Sequence, residues 1–122
     1  MPYQVLTNIH LTDTILAMLA DSCQVSIWSG KDTDPALLQT VEGFFVYGHP
    51  KLDSAVMDRM PNLRVISNFG VGVDHINLDD ARARGIAVGH TPRLVDGATA
   101  DMTFALLMAA ARNLVSGDRY AR

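Results

Sequence analysis

Five short apolar runs, each closed by a turn-forming residue and separated by a helix-like stretch, constrain this 122-residue chain more than any other feature. Val5-Leu6-Thr7 ends at Asn8, Val25-Ser26-Ile27-Trp28 stops at Ser29-Gly30, and Phe44-Phe45-Val46-Tyr47 closes at Gly48-His49-Pro50. Arg64-Val65-Ile66-Ser67 leads into a Gly-rich turn beginning at Asn68, and Ile86-Ala87-Val88-Gly89 follows the helix-capping Gly85. Between these runs lie helix signals. Thr12 or Asp13 stands at an N-cap before Ile15, Leu16, Met18 and Leu19, and Asp34-Pro35 opens a second helix. Asp53 caps a short helix through Met60, where Pro61 blocks continuation, and a further helix spans about Leu78 to Arg84. After the loop His90–Asp96, a last helix is predicted from about Ala98 to Leu114.

Strands that alternate with helices specify an α/β fold, a parallel sheet covered on both faces. The expected layout is a doubly wound, flavodoxin-like five-stranded parallel sheet, whose ligands sit beyond the carboxyl ends of the strands. Hydrophobic residues make up 48% of the chain and charged residues 19%, enough to build a core and too apolar for disorder. Ten Lys and Arg against thirteen Asp and Glu leave a net charge of −3, which gives nucleic-acid binding no electrostatic support. The lone Cys23 excludes an internal disulfide and fits a reducing compartment. Neither a secretory signal nor a run long enough to span a membrane is present, so a cytoplasmic chain is expected.

The last helix does not suit a self-sufficient domain. Its apolar residues, from Ala98 through Met102, Phe104, Leu106 and Met108 to Ala111, cover nearly the whole circumference. A helix apolar all round is a buried one, and a single sheet face hides only one side of it. The helix at about 98–114 is therefore expected to pack on a missing domain or another subunit. The tail Asp118-Arg119-Tyr120-Ala121-Arg122 adds no further strand.

Gly70-Val71-Gly72 is the best candidate for chemistry. The dinucleotide fingerprint wants a third glycine three residues after the second, where this chain has His75, and an acid about 20 residues on, where it has Pro92. The fingerprint fails. Glycines flanking Val71 leave two readings open: a nest of main-chain N–H groups that grips an anion such as a carboxylate, or an ordinary strand-to-helix turn that needs positive φ. The four histidines, His10, His49, His75 and His90, are scattered over different turns without a carboxylate or thiol at ligand spacing, so no metal site is expected.

The stretch Asn62–Ile76, with its Asn68-Phe69-Gly70-Val71-Gly72-Val73-Asp74 segment, resembles the D-isomer-specific 2-hydroxyacid dehydrogenase family. So do Arg84-Gly85-Ile86-Ala87-Val88-Gly89-His90-Thr91-Pro92 and Asp96-Gly97-Ala98-Thr99-Ala100-Asp101 with the helix that follows. Within the family the chain looks most like the glyoxylate/hydroxypyruvate reductase branch. The resemblance implies hydride transfer between NAD or NADP and a small 2-oxo or 2-hydroxy acid in a two-domain enzyme, of which residues 1–122 would be a single substrate-domain portion. It assigns the substrate carboxylate to the turn Gly70, Val71 and Gly72, gripped by the amides of Val71 and Gly72, and places Thr99 near the cofactor. Tyr47 and Gly48 would face the same site, Asp74 would fasten the turn, and His75 would have a packing or turn role. Arg112 and Arg119 read as cations near a helix C-terminus.

The family's Rossmann cofactor domain, with its substrate-orienting Arg and its His assisted by an acid, has no counterpart in these residues. No catalytic residue is expected in this chain, and the isolated chain is expected to be inactive. A homodimer, or a partner cofactor domain, is implied. A different reading is a truncated relative that serves as a dimerisation or assembly module. A receiver or flavin module is poorly matched, since Asn8-Ile9-His10 and Gly48-His49-Pro50 stand where a receiver's acids would be.

Overall fold

The structure, a computed structural model, describes residues 1–122 as two compact units, Met1–Thr91 and Pro92–Arg122. In the first, β1 (Tyr3–Thr7), α1 (Asp13–Leu19), β2 (Cys23–Ile27) and α2 (Pro35–Leu38) are followed by β3 (Gly43–Tyr47) and α3 (Ser54–Met57). β4 (Val65–Phe69), α4 (Leu78–Ala83) and β5 (Ala87–Gly89) complete it. The five strands form one parallel sheet in the order β2-β1-β3-β4-β5, the doubly wound order that the sequence implies.

Local chemistry starts and stops these elements largely as expected. The Asp34 carboxylate accepts the Ala36 N–H at 2.9 Å, with Pro35 at the first helical position, and Asp53 accepts from Val56 at 3.3 Å. Gly85 ends α4 in the left-handed region at φ +69°. Thr12 occupies the N-cap of α1 without a side-chain bond, whereas Asn77, not foreseen, caps α4 by accepting from Asp80 at 3.0 Å.

Register aligns Leu6, Phe44, Ile66 and Val88 on one sheet face. Leu6, Phe44, Val46 and Ile66 are fully buried there, together with Leu38 of α2, Met57 of α3 and Ala81 of α4. The Trp28 ring packs edge-on against Phe44 at 5.2 Å between centroids.

The opposite face corrects the expectation of a sheet covered on both sides. Val65 is 42% exposed and Phe69 53%, and Ser67, Ala87 and Gly89 on the same face are also open. The strand order explains it. Parallel crossovers are right-handed, so the connections that run from β2 to β3, β4 and β5 put α2, α3 and α4 on one face. Only the reversed β1-to-β2 step sends a helix, α1, to the other side, and it packs on β2.

In the second unit, α5 (Asp96–Ala111) and α6 (Leu114–Ala121) replace the single helix expected at about 98–114. The break falls at Asn113, which takes the left-handed conformation at φ +50°, a state that Asn tolerates better than most residues. The tail beyond it, expected only to lack a strand, is helical. Arg112 caps the C-terminus of α5, and Arg119 sits in the last turn of α6, as the charge reading anticipates. No residue of α5 is buried; Phe104 is 67% exposed and Leu106 62%. No helix of either unit is long and apolar enough to cross a membrane.

The two sheet faces should answer differently to substitution. Phe44→Ala is expected to lower unfolding free energy by about 3–5 kcal/mol, and Val65→Thr by less than about 0.5 kcal/mol. Urea titrations followed by circular dichroism measure both; equal losses would contradict the open face.

Candidate functional site

β4 runs through Phe69, two residues beyond the expected strand end at Ser67, and this extension builds the site. The alternation of a strand turns Asn68 into the protein, where it is 3% exposed, and Phe69 out of it. Phe69 stacks on Tyr47 at 5.8 Å between ring centroids, so Tyr47 lies beside the turn that follows β4. Asn8, just past β1, clamps the end of β3: its Oδ1 accepts the Tyr47 N–H at 2.9 Å and its Nδ2 donates to the Tyr47 carbonyl at 2.7 Å. Gly48 follows at φ +74°. β1 and β3 are the neighbours at which strand order reverses, the place where open α/β sheets bind ligands.

All three carbonyls of the Gly70-Val71-Gly72 turn are held by the protein. Asn68 Nδ2 donates to the Gly70 carbonyl at 3.1 Å and to the Gly72 carbonyl at 2.9 Å. The Thr91 N–H donates to Gly70 as well, at 3.0 Å, and His90 Nδ1 lies 2.9 Å from the Val71 carbonyl. The Gly70 N–H is used within the turn, donating to the Asn68 carbonyl at 3.0 Å. The N–H groups of Val71 and Gly72, both exposed residues, donate to no acceptor of the chain. Main-chain donors without a protein partner, at the carboxyl end of a parallel sheet, can hold an anionic oxygen.

Neither Gly70 nor Gly72 has positive φ, so the conformation required by the ordinary-turn reading is not what selects glycine. A Cβ built at Gly72 meets nothing nearer than Asp74 Oδ2 at 4.0 Å, and one at Gly70 meets Asn68 Nδ2 at 3.5 Å, both ordinary contacts. What glycine provides is a bare outer surface. Asp74, expected to fasten the turn, is exposed and its side chain makes no hydrogen bond or ion pair; Asn68 does the fastening. His75 has the expected turn role, its Nε2 lying 3.1 Å from Asn68 Oδ1. Sequence reading missed Asn68, His90 and Asn8. An Asn and a His flanking a Gly-rich turn are the available signal, but which carbonyls they reach is decided only by the fold.

A concavity of about 920 Å³ lies elsewhere. It lies at the amino ends of the strands, lined by Tyr3, Val5, Cys23, Gly43 and Val65, where the sheet face is uncovered. It holds none of the candidate residues.

Thr99 belongs to the second unit, in the first turns of α5. Its N–H donates to the Val95 carbonyl at 2.9 Å and its carbonyl accepts from Thr103 Oγ1 at 2.8 Å, while its own hydroxyl bonds to nothing in the chain. Asp96 stands in the same first turn, where its carboxylate opposes a phosphate. The Gly70-Val71-Gly72 turn, with no third glycine after Gly72, lacks the dinucleotide fingerprint.

Comparison with known proteins gives the same residues a context. The family model described as D-isomer specific 2-hydroxyacid dehydrogenase, catalytic domain, matches residues 5–115. A glyoxylate reductase of Pyrococcus horikoshii is 36% identical over 112 residues, which cover 88% of this chain and 34% of the relative. A crystallised 2-hydroxyacid dehydrogenase of Ketogulonicigenium vulgare superimposes with a TM-score of 0.82 at 27% identity, covering 100% of this chain and 40% of that one. A glyoxylate/hydroxypyruvate reductase of Sinorhizobium meliloti, solved with NADP and malonate, gives a TM-score of 0.71 at 29% identity, covering 89% and 34%. The chain thus spans about a third of the length of the curated relatives it matches.

The turn's histidine carries a pH dependence. Desolvation is the main cause that holds His75 below the ordinary imidazole value; His49, whose ring stands 5.1 Å away, adds to it, and Asp74 opposes it. Protonation would place a charge at Nδ1, a buried atom without a partner. Below about pH 6.5 the unfolded chain therefore binds more protons at this residue than the folded one. The stability from a neutral His75 is fully present above that pH and is lost as pH falls through the lower folded-state value. His75→Gln, which keeps a donor for Asn68 and cannot titrate, should flatten the fall in urea midpoint between pH 7 and pH 5. An unchanged slope would contradict the assignment.

Proposed function

The chain belongs to the D-isomer specific 2-hydroxyacid dehydrogenase family, and on that footing we propose that its Gly70-Val71-Gly72 turn holds the carboxylate of a small 2-oxo acid. The observation that carries this reading is the pair of N–H groups of the exposed residues Val71 and Gly72, left without an acceptor while every carbonyl of the turn is tied back. Two main-chain donors suit the two oxygens of a carboxylate and need no cation in the turn, which has none. The malonate in the Sinorhizobium meliloti reductase and the lactic acid in the Aquifex aeolicus D-lactate dehydrogenase are likewise small molecules that carry a carboxylate.

The complete reaction is the reduction of a 2-oxo acid, of the glyoxylate or hydroxypyruvate type, to the 2-hydroxy acid. The reduced dinucleotide, NADH or NADPH, would supply the hydride to C2 of the acid when bound and leave as NAD or NADP, and a proton must reach the oxygen on C2. Residues 1–122 contribute the hold on the C1 carboxylate, which fixes C2 except for rotation about the C1–C2 bond. Tyr47 and Phe69 wall the turn on one side and Gly48 leaves space beside them. Neither histidine of the turn serves the proton step. His75 Nε2 is engaged with Asn68 and His90 Nδ1 with Val71, and neither ring pairs with a carboxylate. The dinucleotide is held by another part of the complete protein, with Thr99 as this chain's only contribution. Residues 1–122 alone therefore bind the acid without turning it over, and their single cysteine fits a reducing, cytoplasmic setting.

The bare apolar residues of α5 favour a second component of this reading: the helix is covered by the cofactor-binding part or by a second copy of the chain. A helix apolar on all sides gains stability only when enclosed.

Calorimetric titration tests the site. Glyoxylate should bind residues 1–122 at about millimolar strength, glycolaldehyde (which lacks the acid) should not, and Gly72→Pro, which removes one donor, should weaken glyoxylate about ten-fold. Equal binding of acid and aldehyde would sink the carboxylate assignment. Purified residues 1–122 should oxidise neither NADH nor NADPH with glyoxylate, and light scattering should show a dimer that Phe104→Asp dissociates. Turnover would count against the inactivity of residues 1–122, and a stable monomer with no tendency to associate would count against a second copy as the cover of α5.

A further inference from the structure

A trans peptide carries its C=O and the next residue's N–H on opposite sides of one rigid plane. Whatever fixes the Gly70 carbonyl therefore aims the Val71 N–H, and whatever fixes the Val71 carbonyl aims the Gly72 N–H. The two planes have different holders. Asn68, helped by the Thr91 N–H, holds the Gly70 carbonyl, and His90 holds that of Val71.

From this geometry we infer that Asn68, His75 and His90 are positioning residues of the carboxylate site, which aim its two donors one plane at a time. The inference rests on the reading of Val71 and Gly72 as carboxylate donors and adds to it the parts that hold them.

Hydrogen-bond bookkeeping settles the orientation of each side chain. The Val71 carbonyl can only accept, so His90 carries its proton on Nδ1. Asn68 Nδ2 spends both hydrogens on the carbonyls of Gly70 and Gly72. Its Oδ1 is then the acceptor, so His75 carries its proton on Nε2 and leaves Nδ1 as a buried lone pair. Turning the Asn68 amide over would set Oδ1 against two carbonyl oxygens and its NH₂ against the His75 N–H. His75 therefore locks the amide that locks the turn. The two histidines are held in opposite tautomers, and Asn68, buried at the end of β4, is anchored by the strand itself. A buried amide with all its donors and acceptors matched is a rigid mount, because any rotation strands several polar groups away from water.

The mounts are separable, and so is their test. Uniformly ¹⁵N-labelled residues 1–122 are titrated with oxalate, and the amide signals of Val71 and Gly72 are followed. In the unaltered chain both should move. In His90→Ala the Gly72 signal should lose most of its response while that of Val71 keeps it, with oxalate affinity down about ten-fold, and His90→Gln, which restores a donor, should recover both. In Asn68→Asp, which can still accept from His75 but donates nothing, the loss should fall first on Val71. His90 is exposed, so its variants keep the test open where Asn68→Asp fails to fold. Long-range ¹H–¹⁵N spectra of the imidazoles should show His90 as the Nδ1–H form and His75 as the Nε2–H form. If both amides respond to oxalate in His90→Ala as they do without the substitution, or if His90 is the Nε2–H form, the positioning inference is overturned while the carboxylate reading stands. If neither amide responds in the unaltered chain, the carboxylate reading itself fails.

Discussion

Everything distinctive about the candidate site follows from the inward tie of three consecutive carbonyls, those of Gly70, Val71 and Gly72. Peptide planarity converts that tie into outward N–H groups at no further conformational cost. Buried Asn68 makes two of the three ties, which is possible only because β4 continues to Phe69 and so turns residue 68 into the core. The glycines answer to the other side of the turn. Neither is needed for positive φ, and neither fills a space that a Cβ would contest, so their use is the bare main chain they leave exposed.

The sheet is asymmetric for an equally simple reason. A strand order that reverses once, combined with right-handed crossovers, gives one face three helices and the other face one. The well-covered face carries the core cluster of Leu6, Phe44, Val46 and Ile66. The other leaves Val65 and Phe69 exposed and opens a concavity of about 920 Å³ at the amino ends of the strands. Size alone would direct attention there. The switch point between β1 and β3, with Asn8 fastening Tyr47, directs it to the opposite end, where the unpartnered amides are.

Much of this was legible in residue order. The five apolar runs gave the five strands, Asp34 and Asp53 capped the helices that they announced, and Gly85 took its left-handed cap. The turn at Gly70-Val71-Gly72 stood out because its spacing resembles a dinucleotide loop and then departs from it at His75. Three things were not legible. Apolar residues at Ala98–Leu114 do not reveal that Asn113 breaks the helix, since its left-handed φ is a local choice among several that Asn tolerates. A parallel sheet reads as covered on both faces until the crossover directions are known. The role of Asn68 depends on which residue the strand's alternation turns inward, and a shift of one residue in the end of β4 would turn Asn68 out and Phe69 in.

The account stands or falls on where an acid sits in this chain. A crystal structure of residues 1–122 grown with oxalate would decide it. The account predicts a carboxylate whose oxygens lie about 2.7–3.2 Å from the N atoms of Val71 and Gly72, with the carbonyls of the turn still held by Asn68 and His90. Oxalate bound elsewhere, or those two amides found turned into the protein with the acid absent, would contradict it.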